Sequence, residues 1–137
     1  MIHQYVDAFR ENKKQFKKWV ESIEEEITYI DILKQVINLC LNPKYLNTLY
    51  ELDEDKITEI DHGDYRGTLI YLIPRSCYQP MVSDYVYTSV FYGSCSGCDA
   101  LLAAQDWDDC GIRYNVDMVT TIALHLVENM KWLEDWE

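Results

Sequence analysis

The sequence contains little glycine, little proline and no long apolar run. There are 5 Gly and 3 Pro among 137 residues, and neither type occurs before Pro43. The longest apolar runs are far too short to cross a bilayer, and the opening "MIHQYVDAFRENKK" lacks the apolar core of a signal peptide. No internal repeat, linker or low-complexity segment divides the chain. We therefore expect one cytoplasmic domain over residues 1–137, without membrane association.

Basic residues are also scarce. The chain has 12 Lys and Arg against 24 Asp and Glu, a net charge of -12, and residues 35–137 carry most of the excess acid. Such a charge repels phosphate backbones, so we expect no direct binding to nucleic acid. The acidity either keeps a small protein soluble or forms a surface that docks on a basic protein partner.

The first 55 residues predict helices. Apolar residues recur at four-three spacing from Phe16 to Leu41, with Lys34 as the one polar interruption. This stretch predicts either one long helix or two helices joined near Glu26–Thr28. We expect its apolar seam to pack on the protein's own sheet, with a homodimer through the N-terminal helix as the alternative. A short helix is expected in "NPKYLNTLYELDED".

Residues 56–92 have the composition of strands. The runs "KITEI", "GTLIYLIP" and "DYVYTSVFY" are separated by the turn sequences "DHGDYRG" and "PRSCYQP", which predicts a three-stranded antiparallel meander. Residues 93–137 predict a short helix at "DALLAA", a loop at "WDDCGIRY" and a closing helix capped by Asn115. The fold class is therefore α+β, with N-terminal helices and a C-terminal helix packed on the sheet.

The five cysteines are an odd number, and we expect them to be reduced. Two of them, Cys95 and Cys98, lie in "YGSCSGCDALL" between a predicted strand and a predicted helix. The simplest interpretation is a tight strand-to-helix corner with buried thiols, in which Asp99 or Ser96 caps the helix.

Two chemical alternatives remain open for this Cys-x-x-Cys pair. Zinc would need two further ligands, and no second Cys-x-x-Cys supplies them. The candidates are Cys110 and His62. Cys77 precedes the third predicted strand and is therefore expected to lie far from Cys95. A redox dithiol would use Cys95 as nucleophile and Cys98 as resolving thiol. His62 itself lies in "DHGDYRG", which predicts a hairpin turn or, alternatively, a His–carboxylate pair for acid–base chemistry.

The segments "DYRGTLIYLIP" and "YVYTSVFYGSCSGCDALLAA" resemble a family of small uncharacterised proteins of tailed bacteriophages. The family pattern is an Asp-Tyr-x-Gly-Thr strand and an aromatic-Gly-Ser-Cys-Ser-Gly-Cys-Asp turn, which here runs from Tyr92 to Asp99. The resemblance does not extend to residues 1–55. It implies a phage gene product in the cytoplasm of a bacterial host cell. It implies no reaction, so no catalytic residue is carried over.

Small acidic phage proteins often inhibit host machinery, anti-CRISPR proteins among them, and this analogy is independent of fold. Our hypothesis is an acidic, non-enzymatic binding protein that inhibits or modulates a host protein with a basic surface, such as a CRISPR nuclease. The alternative is a zinc- or thiol-dependent protein, a metal-stapled regulator or small enzyme, that uses Cys95 and Cys98. The acidic residues expected to contact the partner are Asp53, Glu54, Asp55, Asp106, Asp108 and Asp109.

Overall fold

The computed structural model describes residues 2–41, 51–63, 67–77, 79–93, 99–109 and 111–133. Four α-helices are present in this part of the chain. They are α1 (Ile2–Glu21), α2 (Tyr29–Val36), α3 (Ala100–Ala104) and α4 (Val116–Glu128). A π-helical segment, Ile37–Leu41, continues α2, and two 3₁₀ turns cover Glu54–Lys56 and Val82–Asp84. None of these helices combines the length and the apolar character that crossing a bilayer requires.

The strands form two antiparallel sheets. The first has the order β1-β2-β3-β6, and the second is the pair β4-β5. The strands are β1 (Thr58–Gly63), β2 (Gly67–Pro74), β3 (Tyr85–Tyr92), β4 (Gln105–Asp108), β5 (Gly111–Tyr114) and β6 (Lys131–Trp132). The α+β class is thereby confirmed, but the prediction of a three-stranded meander is wrong because β6 adds a fourth strand beside β3.

The additional strands explain two further corrections. The predicted C-terminal helix stops at Glu128, and the chain then turns so that Lys131 and Trp132 pair with β3. Met130 is buried at this turn. An apolar residue at this position is therefore compatible with a continued helix and with a turn into a strand, so the apolar pattern does not distinguish them. The predicted loop "WDDCGIRY" contains the second half of β4 and all of β5, and strands of four residues are too short for their alternating pattern to be recognised in the sequence.

The first strand and the helix after residue 41 also differ from expectation. The β1 strand continues through Asp61 and His62 to Gly63, residues that we assigned to a turn. The predicted helix in "NPKYLNTLYELDED" falls mainly on residues 42–50, which lie outside the described part of the chain. Of its last residues, Glu54 opens a 3₁₀ turn capped by Asp53.

The N-terminal region contains two helices rather than one. The α1 helix ends at Glu21, and α2 begins after Thr28, whose backbone N–H donates to the Asp31 carboxylate at 2.8 Å. This reciprocal contact is a capping box, which fixes the start of α2. The sequence pattern does not distinguish one helix from two, because the apolar spacing continues across the break.

The apolar seam of α1 is buried inside the chain. The side chains of Phe9, Phe16 and Val20 are almost fully buried, and α1 packs chiefly on α4 and the π-helical segment. The part of the seam that lies on α1 therefore packs chiefly on helices, and not on the sheet as we had expected for the seam as a whole. The C-terminal helix does lie on the sheet, as predicted, and the Thr88 hydroxyl donates to the carbonyl of Leu126 at 2.6 Å. A homodimer through the seam stays a prediction, and it would compete with this internal packing.

Candidate functional site: an acidic cleft and hairpin

The corner between β3 and α3 is held together by Asp99, which is only 7% exposed. Its Oδ1 accepts hydrogen bonds from the Tyr29 hydroxyl at 2.6 Å and from the backbone N–H groups of Leu101 and Leu102 at 2.9 and 3.1 Å. Its Oδ2 accepts from the N–H of Gly93 at 2.9 Å. One carboxylate thus joins β3, α3 and α2, and the prediction that Asp99 caps this helix is confirmed.

The Tyr29 hydroxyl completes this joint. It accepts a hydrogen bond from the N–H of Leu101 at 3.1 Å while it donates to Asp99. Burial raises the pKa of Tyr29 above its ordinary value of 10.0, and the hydrogen bond to Asp99 raises it further. The hydroxyl therefore keeps its proton at neutral pH and acts as a fixed donor. The described groups at this corner therefore form a structural joint through the hydrogen bonds of Asp99 and Tyr29.

An open cleft of about 340 Å³ lies beside this corner. Its walls come from the connection between α1 and α2, from β1, from the end of β3 and from α3. Its lining combines half-buried apolar side chains with exposed carboxylates. The apolar residues include Ile27, Leu69 and Leu102, and the carboxylates are Glu26, Glu59 and Asp61 together with the buried Asp99. We call this feature the acidic cleft.

The two carboxylates on β1 face the cleft because residues two apart in a strand share a face. Asp61 accepts a hydrogen bond from the Tyr92 hydroxyl at 2.6 Å, which fixes its position. Glu59 is paired across the strands with Tyr71, whose hydroxyl is buried without a close hydrogen-bond partner among the described residues. Burial raises the pKa of Tyr71, and the nearby Glu59 carboxylate raises it further. The negative charges of Glu59 and Asp61 are thus concentrated at the wall formed by β1, where a bound cation would offset them.

The β4–β5 pair, which we call the acidic hairpin, begins at the edge of the cleft. Its base is fixed by the Tyr114 hydroxyl, which accepts hydrogen bonds from the N–H of Ile27 at 3.0 Å and from Nε2 of Gln105 at 3.1 Å. Gln105 also lines the cleft. Beyond this base the β4 residues are exposed, and the indole-bearing residue Trp107 is 67% exposed. The exposed carboxylates of this hairpin are those of Asp106, Asp108 and Asp109.

The predicted acidic residues fall into two groups. Asp53, Glu54 and Asp55 precede β1, near the end of β2, where Leu52 bridges to Arg75. The hairpin carboxylates follow α3, near the opposite end of the sheet. In the first group, the Asp53 carboxylate accepts from the N–H of Asp55 at 3.1 Å and lies 3.9 Å from Nζ of Lys56. Part of that first group therefore caps a turn.

The zinc prediction involves four residues of which the structure describes one. His62 is exposed on β1, and strand alternation places it on the sheet face opposite to Asp61 and the cleft. Cys95, Cys98 and Cys110 lie outside the described residues. Within the described ranges, no three His, Cys, Asp or Glu side chains are grouped so that they could hold a metal ion. Zinc and thiol chemistry at the Cys-x-x-Cys pair stay predictions.

The sequence interpretation missed the acidic cleft and the exposed indole. The signal for Glu59 and Asp61 was present, because they alternate with Ile60 in a strand, but we had ended that strand at residue 60. Trp107 is flanked by acidic residues, a pattern that indicates exposure. Glu26 had no comparable signal, because only the break between α1 and α2 brings it to the cleft.

Comparisons with known proteins add no relative. Searches against protein-family models, curated proteins and solved structures each return no match.

Proposed function

We propose that the chain is an acidic binding protein that docks on a basic protein surface through its acidic cleft and acidic hairpin. The observation that carries this proposal is the lining of the cleft, in which half-buried apolar side chains occur together with the exposed carboxylates of Glu26, Glu59 and Asp61. This combination suits an Arg or Lys side chain, which has an apolar stem and a cationic head. The stem would contact Leu69 and its neighbours, and the head would bind the carboxylates.

The expected binding free energy depends on partial burial of the partner's Arg or Lys head group. Exposed ion pairs contribute about 0–1 kcal/mol, whereas hydrogen bonds to charged groups in shielded positions contribute about 1.5–3 kcal/mol. Asp61 is already oriented by Tyr92, so less side-chain entropy is lost when it binds a cation. The net charge of -12 adds long-range attraction toward a basic surface.

The biological part of the proposal comes from the resemblance to small tailed-bacteriophage proteins. On that basis the partner is a host protein of the bacterial cytoplasm, and the consequence of binding is inhibition or modulation of that protein. A nucleic-acid-handling defence enzyme such as a CRISPR nuclease is the partner class we favour, because its substrate channel is basic.

The test compares two isosteric double variants in binding to the captured host protein. Glu59→Gln with Asp61→Asn neutralises the two β1 carboxylates of the cleft, and Glu24→Gln with Glu25→Gln neutralises two exposed carboxylates outside it. We expect the cleft variant to weaken binding at least about tenfold, since 1.4 kcal/mol corresponds to a factor of ten. The control should bind nearly as the wild type does.

The same experiment includes a salt titration and an assay of the partner's activity. Binding should weaken as salt rises, and the bound partner should lose activity on nucleic acid. Three results would contradict the proposal: no host protein retained, equal losses for the two variants, or binding that ignores salt.

A further inference from the structure

One groove of this acidic protein is basic. It lies between α1 and α4 and has a volume of about 140 Å³, enough to admit one side chain. Arg10, Lys13 and Lys17 form one wall, at spacings of three and four that place them on a single face of α1. The floor includes Phe9, which is almost fully buried, and Leu124 of α4. We call this feature the basic groove.

The cations of the basic groove are poorly compensated. Lys17 lies 3.9 Å from the carboxylate of Asp117, which is 91% exposed, so this ion pair is weak. Arg10 and Lys13 form no ion pair with any residue in the described ranges of the chain. Neighbouring like charges repel, and a ligand that brings negative charge to this face would remove that repulsion.

The opposite wall supplies hydrogen-bond acceptors. The hydroxyls of Thr120 and Thr121 donate to the carbonyls of Val116 and Asp117 at 2.6 and 2.8 Å. Because their protons are used within α4, the two hydroxyl oxygens are left as acceptors for a ligand N–H. The groove thus fits a ligand that combines carboxylates, an apolar ring and an N–H donor. Those are the groups of an aromatic, acidic peptide segment.

We propose that the basic groove binds the acidic hairpin of a second copy of this chain. The hairpin presents the exposed indole of Trp107 on one face of β4, and Asp108 and Asp109 lie at its tip, where the chain turns toward β5. In the contact, the tip aspartates Asp108 and Asp109 meet Arg10 and Lys13, the indole ring packs over the apolar floor, and the indole N–H donates to a threonine oxygen. Each copy has one groove and one hairpin, so a two-fold dimer makes the contact twice.

The proposed contact is opposed by the repulsion between the two molecules, each of which has a net charge of -12. The Debye length is about 30 Å at 0.01 M salt and about 8 Å at physiological ionic strength. Screening therefore suppresses the repulsion between whole molecules before it suppresses the direct contact. Dimerisation is expected to be strongest near 0.1–0.15 M salt and weaker both below and above that range, which is estimated from the same screening lengths. The dimer does not depend on the proposed host partner, because both surfaces belong to this chain.

The test is a charge-reversal experiment on the purified full chain, followed by sedimentation velocity. One variant reverses the groove (Arg10→Glu, Lys13→Glu), and the other reverses the hairpin (Asp108→Lys, Asp109→Lys). We expect the wild type to form dimers and each variant alone to dimerise at least tenfold more weakly. An equimolar mixture of the two variants should recover a dimer, because each reversed surface then meets an opposite charge.

Matched controls separate this contact from net charge. Lys14→Glu with Lys18→Glu changes the charge of α1 equally without altering the residues that line the groove, and Glu24→Lys with Glu25→Lys matches the hairpin variant. Both controls should dimerise within about twofold of the wild type once ionic strength is fixed. A wild type that stays monomeric, a control that fails as the groove variant does, or a mixture that stays monomeric would overturn the proposal. None of these results requires the host partner, so they leave the proposed function to its own test.

Discussion

Asp99 and the aspartates of the acidic hairpin show how position decides what one side chain does. Asp99 is buried and accepts four hydrogen bonds from three parts of the chain. Asp106 and Asp109 are exposed on a two-stranded hairpin, beside an indole that is also exposed. The first carboxylate stabilises the fold because its charge is fully used inside the molecule. The carboxylates of Asp106 and Asp109 are exposed, so a partner protein can reach them.

The largest effect is expected from removal of the buried carboxylate. Asp99→Ala leaves the Tyr29 hydroxyl and the backbone N–H groups of Gly93 and Leu102 without their acceptor, while the N–H of Leu101 keeps the Tyr29 oxygen, and each unsatisfied buried group costs about 1–3 kcal/mol. We expect the free energy of unfolding to fall by about 3–5 kcal/mol. Asp109→Ala, the matched exposed change, should alter it by less than about 0.5 kcal/mol. Urea denaturation followed by tryptophan fluorescence measures both values.

A milder change keeps this prediction testable if Asp99→Ala does not fold. Asp99→Asn preserves the shape and one oxygen acceptor, but its amide N–H would face the N–H of Gly93 if the oxygen replaces Oδ1. We expect an intermediate loss of stability. Equal stabilities for Asp99→Asn, Asp109→Ala and the wild type would show that the corner is not the joint described above.

The two regions also differ in how far the sequence predicts them. The cap at Asp99 follows from its place before an apolar run, and the N-cap at Asn115 follows from the same logic. Both are local relationships within one turn of chain. The hydrogen bond from Tyr29 to Asp99 joins residues 70 positions apart, and no periodicity indicates it. The cleft depends on such long-range contacts, so it could not be predicted as a whole.

The acidic hairpin was missed for a different reason. Each of its strands has four residues, and only Ile112 and Tyr114 on β5 show alternating burial. The β4 strand has two aspartates among its four residues, which is the composition of a loop. Its pairing with β5 is held by the contact of Tyr114 with the rest of the fold rather than by strand propensity. The α1 seam shows the converse limit. Its burial was predictable, but which element covers it was not.

A smaller effect is expected from the other partner in the joint. Tyr29→Phe keeps the buried ring and removes the hydroxyl that donates to Asp99 and accepts from Leu101. Asp99 keeps its three backbone donors, so the free energy of unfolding should fall by about 1–2 kcal/mol, less than for Asp99→Ala. In a double-mutant cycle with Asp99→Asn, the two losses should not add, because the residues share one hydrogen bond. Strict additivity would argue that the two side chains act independently.

The smallest effect is expected for a thiol, where a buried cysteine can be compared with an exposed one. Cys40 is fully buried and its Sγ lies 3.5 Å from the carbonyl oxygen of Asn12, whereas Cys77 is exposed. Burial raises the pKa of Cys40 from 9.0 to about 12. Since the folded-state pKa is the higher one, its contribution to stability is complete below pH 9.0 and is lost as the pH rises from 9.0 through about 12.

Two measurements check this prediction. The free energy of unfolding of the wild type should decline between pH 8 and 10, a range estimated from the ordinary thiol pKa, and the decline should be shallower in Cys40→Ala, which lacks the titrating group. Site-resolved alkylation at neutral pH should modify Cys77 quickly and Cys40 only at the rate of unfolding. If Cys40 reacts as fast as Cys77 in the folded protein, the π-helical segment that carries it is not packed on α1 as described, because reagent access requires that contact to open.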